Sequence, residues 1–111
     1  MTVVQFGAGN IGRGFVGQLW SEAGYEVVFV EQQVDLVARL NERRAYRLRL
    51  VGPDRRETLT IAPVRAVAVE ARERVVAELA SAAFACTAVG VAALDAIAPL
   101  LAAAASRRRQ A

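Results

Sequence analysis

The residues best suited to chemistry in this sequence are Gly7, Gly9 and Gly12, which follow the spacing G-x-G-x-x-G. A short apolar run precedes these glycines, and a helical pattern follows them. In that context the first glycine permits a tight turn, the second lets the backbone approach a phosphate, and the third lets a helix pack closely. The helix N-terminus then offers free N–H groups to an anion. The pattern predicts a dinucleotide pyrophosphate site, and the alternative is a purely structural turn.

An acidic residue, Glu31, closes the next apolar run, residues 26–30. A carboxylate in this position accepts hydrogen bonds from the adenosine ribose hydroxyls and repels the extra phosphate of NADP, so it indicates NAD as the cofactor. The alternative is a solvated charge ahead of a helix. A later apolar strand leads into a loop that ends at Gly90, which we interpret as a second wall of the site. The residues predicted to bind the cofactor are Val3, Val4, Gln5, Phe6, Gly7, Ala8, Gly9, Asn10, Ile11, Gly12, Arg13, Gly14, Glu31, Thr87, Ala88, Val89 and Gly90.

The elements that must position these residues alternate between strands and helices, which predicts an α/β fold. We expect a Rossmann-type, doubly wound, mainly parallel sheet with an inserted β-hairpin, in a single dinucleotide-binding domain over residues 1–111. The predicted strands are residues 2–6, 26–30, 63–69 and 82–88, the hairpin strands are 46–50 and 57–61, and the helices are 10–23, 32–43, 72–79 and 91–105.

Several positions carry more detailed expectations about packing. Phe15 and Leu19 keep helical spacing in the first helix, where Gly14 and Gly17 are expected to allow close packing on the sheet. A left-handed cap at Gly24 should end that helix. Residues 82–88 are expected to form a buried strand with a buried, unreactive thiol at Cys86, and residues 106–111 a frayed basic end.

The titratable side chains argue against catalysis by this chain. All 14 basic residues are arginine, so the sequence has neither lysine nor histidine, the commonest groups for proton transfer at neutral pH. Tyr25, Tyr46, Cys86 and the carboxylates remain, and none is expected beside a substrate carbonyl. The sequence therefore predicts no catalytic residue. A single cysteine, no membrane-spanning apolar run and no signal peptide predict a cytoplasmic protein without a membrane partner.

A group of arginines surrounds the predicted hairpin, in a chain of net charge +3. Only Tyr46 is interleaved with them, so base stacking has little support and a solvated hairpin face is favoured over nucleic-acid binding. A phosphate-bearing substrate or a partner domain remains a further use for part of this face. The arginines are Arg43, Arg44, Arg47, Arg49, Arg55 and Arg56.

Four segments together resemble the long-chain mannitol dehydrogenase family of polyol and uronate reductases. They are FGAGNIGRGFVGQL, the glutamate after VVFV, YRLRLVG, and TAVG followed by LDAIAPLL, and they cover nearly the whole chain in order. The resemblance implies an NAD-linked interconversion of mannitol 1-phosphate and fructose 6-phosphate. The family usually has aspartate where this sequence has Glu31.

The same resemblance implies a larger, mostly helical C-terminal domain with a catalytic lysine and its asparagine and histidine neighbours. We expect that domain to be absent from this chain, so no catalytic residue is carried over. The resulting hypothesis is a cofactor-binding domain without turnover, which associates with itself through the apolar surface left exposed. The alternatives are an NAD-binding subunit of a two-chain dehydrogenase and a stand-alone nucleotide sensor.

Overall fold

A computed structural model describes residues 1–9 and 12–110 of the chain. The strands are β1 (Thr2–Phe6), β2 (Glu26–Glu31), β3 (Tyr46–Gly52), β4 (Arg55–Ile61), β5 (Val64–Ala68) and β6 (Phe84–Thr87). The helices are α1 (Gly17–Glu22), α2 (Val34–Arg43), α3 (Arg72–Ser81) and α4 (Val91–Gln110), and a π-helical turn, Gly12–Val16, leads into α1. No helix in the described part of the chain is long and apolar enough to cross a membrane.

Four of the strands form one parallel sheet in the order β5-β2-β1-β6. The chain therefore steps outwards from β1 through β2 to β5, and then returns to the other side of β1. This reversal places a topological switch point at the carboxyl ends of β1 and β6, where open α/β sheets bind their ligands. The α/β, Rossmann-type fold predicted from the sequence is confirmed.

Helices and the hairpin cover the two faces of this sheet. On one face, α3 and α4 bury apolar side chains of β1, β2 and β5. On the other face, α2 and the antiparallel β3–β4 hairpin pack against the alternate side chains of β2 and β5. Burial on both faces explains the apolar run at residues 27–30 of β2 and the largely apolar β1, in which Gln5 is a buried polar residue.

The first helix differs from its predicted form. The π-helical turn has a longer period than an α-helix, which places Gly12 and Gly17, five residues apart, on the buried side. Phe15 and Leu19, four residues apart, are both exposed, by 64% and 51%. The predicted close packing is right for Gly17, where a Cβ atom would collide with the Tyr46 hydroxyl and lie 3.4 Å from Phe29 Cζ. The left-handed conformation predicted for Gly24 is confirmed, with φ of +91°.

The prediction of a buried strand over residues 82–88 was wrong. The observed strand β6 is shorter and forms the edge of the described sheet, pairing only with β1. Because one side of β6 has no neighbour in the described chain, Phe84 is 51% exposed and Cys86 is only partly buried.

The boundaries of the other three helices also differ from the prediction, and α3 continues to Ser81 instead of residue 79. Helix α2 begins at Val34, whose side chain is exposed, and its buried residues are Leu36 and Leu40. Helix α4 continues to Gln110, well beyond the predicted end at residue 105. The Arg108 guanidinium donates hydrogen bonds to the Leu79 and Ala82 carbonyls, at 3.2 and 2.6 Å, which satisfies acceptors at the end of α3 and holds this basic segment in place.

Adding one methyl group at Gly17 should destabilise the fold. In Gly17→Ala the new Cβ must displace the Tyr46 hydroxyl, so we expect the free energy of unfolding to fall by about 1–3 kcal/mol. Urea denaturation followed by circular dichroism measures the change. Gly14→Ala is the matched control, because its Cβ would make only an ordinary contact, 3.8 Å from Leu48 Cδ1. Equal stability of the two variants would contradict the proposed close packing.

Candidate cofactor site

A cavity of about 330 Å³ opens at the carboxyl ends of the parallel strands. It lies at the switch point between β1 and β6 and extends over the end of β2 towards β5. The described residues that line it are Phe6, Gly7, Gly9, Val30, Glu31, Gln32, Gln33, Val69, Ala88, Val89, Gly90, Ala93, Ala96 and Ile97.

The glycine loop forms the base of this cavity, and Gly7 turns the chain out of β1. Its φ of +94° lies in the left-handed region that favours glycine. The Gly7 N–H donates to the Val30 carbonyl at 2.9 Å, and a Cβ at Gly7 would lie 2.6 Å from the Ala88 oxygen. Gly7 therefore brings the loop against both neighbouring strand ends, which no larger residue can do.

The other two glycines of the motif have different surroundings. A Cβ at Gly12 would collide with the Gly7 carbonyl, so the helical turn can begin directly on the loop only with glycine there. At Gly9 a Cβ would have no heavy atom of the surrounding described residues within 4 Å, and the residue is exposed at the cavity. Packing against the described residues therefore does not require a glycine at position 9, and the open backbone leaves space for a ligand.

The Glu31 carboxylate holds the glycine loop to the end of β2. It is buried, with 7% exposure, and accepts a hydrogen bond from the Ala8 N–H at 2.9 Å through Oε1. Its Oε2 accepts a second bond from the Gln33 N–H at 2.8 Å. Each carboxylate oxygen retains a further acceptor position, so the group can also receive hydroxyl donors from a ligand.

The remaining residues of the N-terminal segment that were predicted to bind the cofactor fall into three groups. Val3, Val4 and Gln5 are fully buried within β1 and do not line the cavity. Arg13 and Gly14 line a separate groove beside β3. Asn10 and Ile11 lie outside the described residues.

The predicted second wall lies beside the glycine loop. Ala88, Val89 and Gly90 line the cavity, and the Ala88 N–H extends the strand pairing by donating to the Phe6 carbonyl at 2.8 Å. Thr87, the last residue of β6, is exposed and is not among the lining residues.

Seven lining residues were not predicted from the sequence. Gln32 and Gln33 directly follow the predicted Glu31, and Val69 follows β5, so the carboxyl-end rule was a usable signal for these three. No local motif marks the side chains from α4, because only the packing of that helix brings them to the cavity. The seven are Val30, Gln32, Gln33, Val69, Ala93, Ala96 and Ile97.

Of the side chains considered for proton transfer, neither of the two tyrosines nor the cysteine is among the described residues that line the cavity, and Glu31 is the one carboxylate there. The Tyr46 hydroxyl donates to the Arg13 carbonyl at 2.7 Å, and burial raises the pKa of this tyrosine to about 12. Cys86 Sγ lies 2.7 Å from Gln5 Oε1 and 3.2 Å from Trp20 Nε1, and burial raises its pKa as well. Tyr25 packs edge-on against the Trp20 ring.

Comparison with known proteins gives a consistent family match. The family model described as the mannitol dehydrogenase Rossmann domain matches residues 1–111. Mannitol-1-phosphate 5-dehydrogenase of Geobacillus stearothermophilus is 47% identical over 103 residues, which are 92% of this chain and 27% of that protein. The enzyme of the same name from Brevibacillus brevis is 44% identical over 108 residues, which are 97% of this chain and 28% of that enzyme.

A fungal relative extends the same pattern. Mannitol-1-phosphate 5-dehydrogenase of Talaromyces marneffei is 40% identical over 100 residues, covering 89% of this chain and 26% of that enzyme. The chain thus spans about a quarter of the length of these curated relatives. Because the family model covers every residue, this chain belongs to the mannitol dehydrogenase family and represents its Rossmann domain.

Proposed function

We propose that this chain binds NAD(H) as the cofactor domain of an oxidoreductase that interconverts mannitol 1-phosphate and fructose 6-phosphate. The observation that supports the proposal is the buried Glu31 carboxylate, held 2.9 Å from the Ala8 N–H at the edge of the cavity. This contact joins the acidic residue to the glycine loop, the two features expected of a dinucleotide site.

The residues present fit such a cofactor. Gly9 leaves open space above the loop, where a pyrophosphate needs close approach to the backbone. Glu31 is the residue that would accept hydrogen bonds from the ribose hydroxyls. The apolar side chains of Val69 and Ile97 would contact the adenine ring of the cofactor. Ala88 to Gly90 form the wall on the β6 side. Bound NAD(H) would supply the hydride chemistry, and this chain would hold and orient it.

The choice of substrate rests on the similarity to the relatives. Each of those compared above is named mannitol-1-phosphate 5-dehydrogenase, and the matched regions cover 89% to 97% of this chain. We therefore assign the same polyol phosphate to the enzyme that this domain would serve.

The catalytic groups would have to come from outside these 111 residues. Reduction of a ketone needs a group that stabilises and protonates the developing alkoxide. Glu31 is the one ionisable side chain among the described lining residues, and it is occupied with main-chain N–H groups. We propose that a second domain or a separate subunit provides the proton donor, and that the exposed side chains of Phe15, Leu19 and Phe84 promote self-association in its absence.

A side chain at Gly9 should block the cofactor without disturbing the fold. In Gly9→Val the added atoms would enter open space in the free protein but would clash with a bound pyrophosphate. We expect NADH to bind roughly 10- to 100-fold more weakly, as fluorescence titration would show, with an unchanged urea unfolding curve. Gly14→Ala serves as the control. If folded Gly9→Val protein bound NADH with wild-type affinity, the glycine loop would not be part of the cofactor site.

The charge of Glu31 should determine the choice between NAD and NADP. We expect the wild type to bind NADH about tenfold or more tightly than NADPH, because the carboxylate repels the additional phosphate. Glu31→Gln removes the charge and keeps an acceptor for the Ala8 N–H. The ratio of the NADPH to the NADH dissociation constant should therefore fall towards one. Parallel titrations of both cofactors measure it. A ratio that is the same in both proteins would contradict the role of Glu31.

The purified chain should bind NADH but should not reduce fructose 6-phosphate. The absorbance of NADH at its near-ultraviolet maximum follows the reaction, and we expect no loss above background. Gly9→Val protein, prepared in parallel, identifies contamination, since a contaminating enzyme would give the same rate in both samples. Turnover in the wild type that disappears in Gly9→Val would show that this chain is catalytic by itself.

A further inference from the structure

A second concave site lies on the side of the domain that carries α2 and the hairpin, and we call it the arginine groove. It has a volume of about 300 Å³ and shares no described lining residue with the cofactor cavity. Its lining residues are Arg13, Leu36, Arg39, Leu40, Arg43, Ala45, Tyr46 and Arg47.

Three separate elements bring the four arginines of this groove together. Arg39 and Arg43 are four residues apart on α2, and therefore lie one turn apart on the same side of the helix. Helix α2 ends in a left-handed residue, Arg44, with φ of +56°, and the chain then turns directly into β3, which carries Arg47. The hydrogen bond from the Tyr46 hydroxyl to the Arg13 carbonyl fixes the π-helical turn against β3.

The groove is positively charged and lacks an internal counter-charge. No aspartate or glutamate is among its described lining residues, and within the described chain the four guanidinium groups form no ion pair with a carboxylate. The Arg13 Nε is buried and has no hydrogen-bond partner among the described residues. A buried charged donor without an acceptor is costly, and arginine cannot relieve the cost by losing its proton. Because Arg13 is a lining residue, an anionic ligand in the groove would stabilise its positive charge.

The shape of the groove favours a small ligand over a polymer. Its volume is at the lower end of the range for small-molecule sites. Base stacking by a single-stranded nucleic acid would need an open aromatic face, but the Tyr46 ring packs edge-on against Phe29, with ring centroids 6.0 Å apart. Leu36, Leu40 and Ala45 give the groove an apolar portion that suits the carbon skeleton of a metabolite.

We propose that the arginine groove binds a compact, phosphate-bearing small molecule, at a site separate from the cofactor cavity. Guanidinium groups match phosphate oxygens through paired hydrogen bonds, and four of them would neutralise a ligand with more than one negative charge. The proposal does not depend on the cofactor assignment, because the two sites have no described lining residue in common.

Inorganic pyrophosphate is a suitable probe, with binding followed through the arginine Nε–Hε resonances in NMR spectra. The titration is performed on the wild type and on Gly9→Val, in which the glycine loop can no longer contribute. We expect saturable shifts at Arg13, Arg39, Arg43 and Arg47 in both proteins, with a Kd below about 1 mM. Shifts that disappear in Gly9→Val would place the pyrophosphate on the glycine loop and overturn the proposal.

Charge-removing variants separate a built site from general attraction to a basic protein. Arg39→Gln combined with Arg43→Gln should weaken pyrophosphate binding about tenfold or more and leave NADH affinity unchanged. Arg74→Gln, on the exposed surface of α3, is the matched control and should bind as the wild type does. Equal loss in the control, or shifts spread evenly over Arg72, Arg74 and Arg107, would show non-specific ionic attraction. Tighter binding of citrate or of an acidic peptide than of pyrophosphate would contradict the phosphate assignment.

Discussion

The turn between β1 and the first helical segment has no room for a side chain at two of its three glycines, and the rest of the structure depends on this constraint. Gly7 adopts a left-handed conformation, and a Cβ atom there would lie 2.6 Å from the Ala88 oxygen. Gly12 packs directly on the Gly7 carbonyl. The contacts of Gly7 with Val30 and Ala88 hold the loop against the ends of β2 and β6, which border the cavity. The remaining glycine of the motif, Gly9, has open space beside it among the described residues, where a ligand can approach.

Glu31 connects this turn to the neighbouring strand. Its two carboxylate oxygens accept main-chain N–H groups on both sides, one in the glycine loop and one at the start of α2. A negative charge is therefore built into the cavity before a cofactor arrives, and its position is set by hydrogen bonds of the protein itself. Such preorganisation lowers the entropic cost of ordering the site when a ligand binds.

The hairpin supports the same region from the opposite face of the sheet. The Tyr46 side chain packs against Phe29 in the sheet, and its hydroxyl holds the Arg13 carbonyl. Gly17 allows this approach, because any larger residue would collide with that hydroxyl. One tyrosine thus links the strand, the π-helical turn and the hairpin, and it also places Arg13 beside the arginines of α2. The basic residues that look like a solvated hairpin face in the sequence are in part the rim of a groove.

The sequence by itself determined the fold class, the order of the elements and the residues at the base of the cavity. Continuous apolar runs, the glycine spacing and the following acidic residue are local patterns, and each reports a local physical requirement: burial on two faces, a tight turn, and a carboxylate at a strand end. The tertiary structure alone decided the features that depend on contacts between residues far apart in the chain. The exposure of β6 follows from its edge position, the length of α4 from the bonds of Arg108 to α3, and the joint burial of Gly12 and Gly17 from the π-helical turn. The α4 side chains of the cavity and the convergence of Arg13, Arg39, Arg43 and Arg47 belong to the same class, because residues far apart in the chain meet only when the helices pack on the sheet.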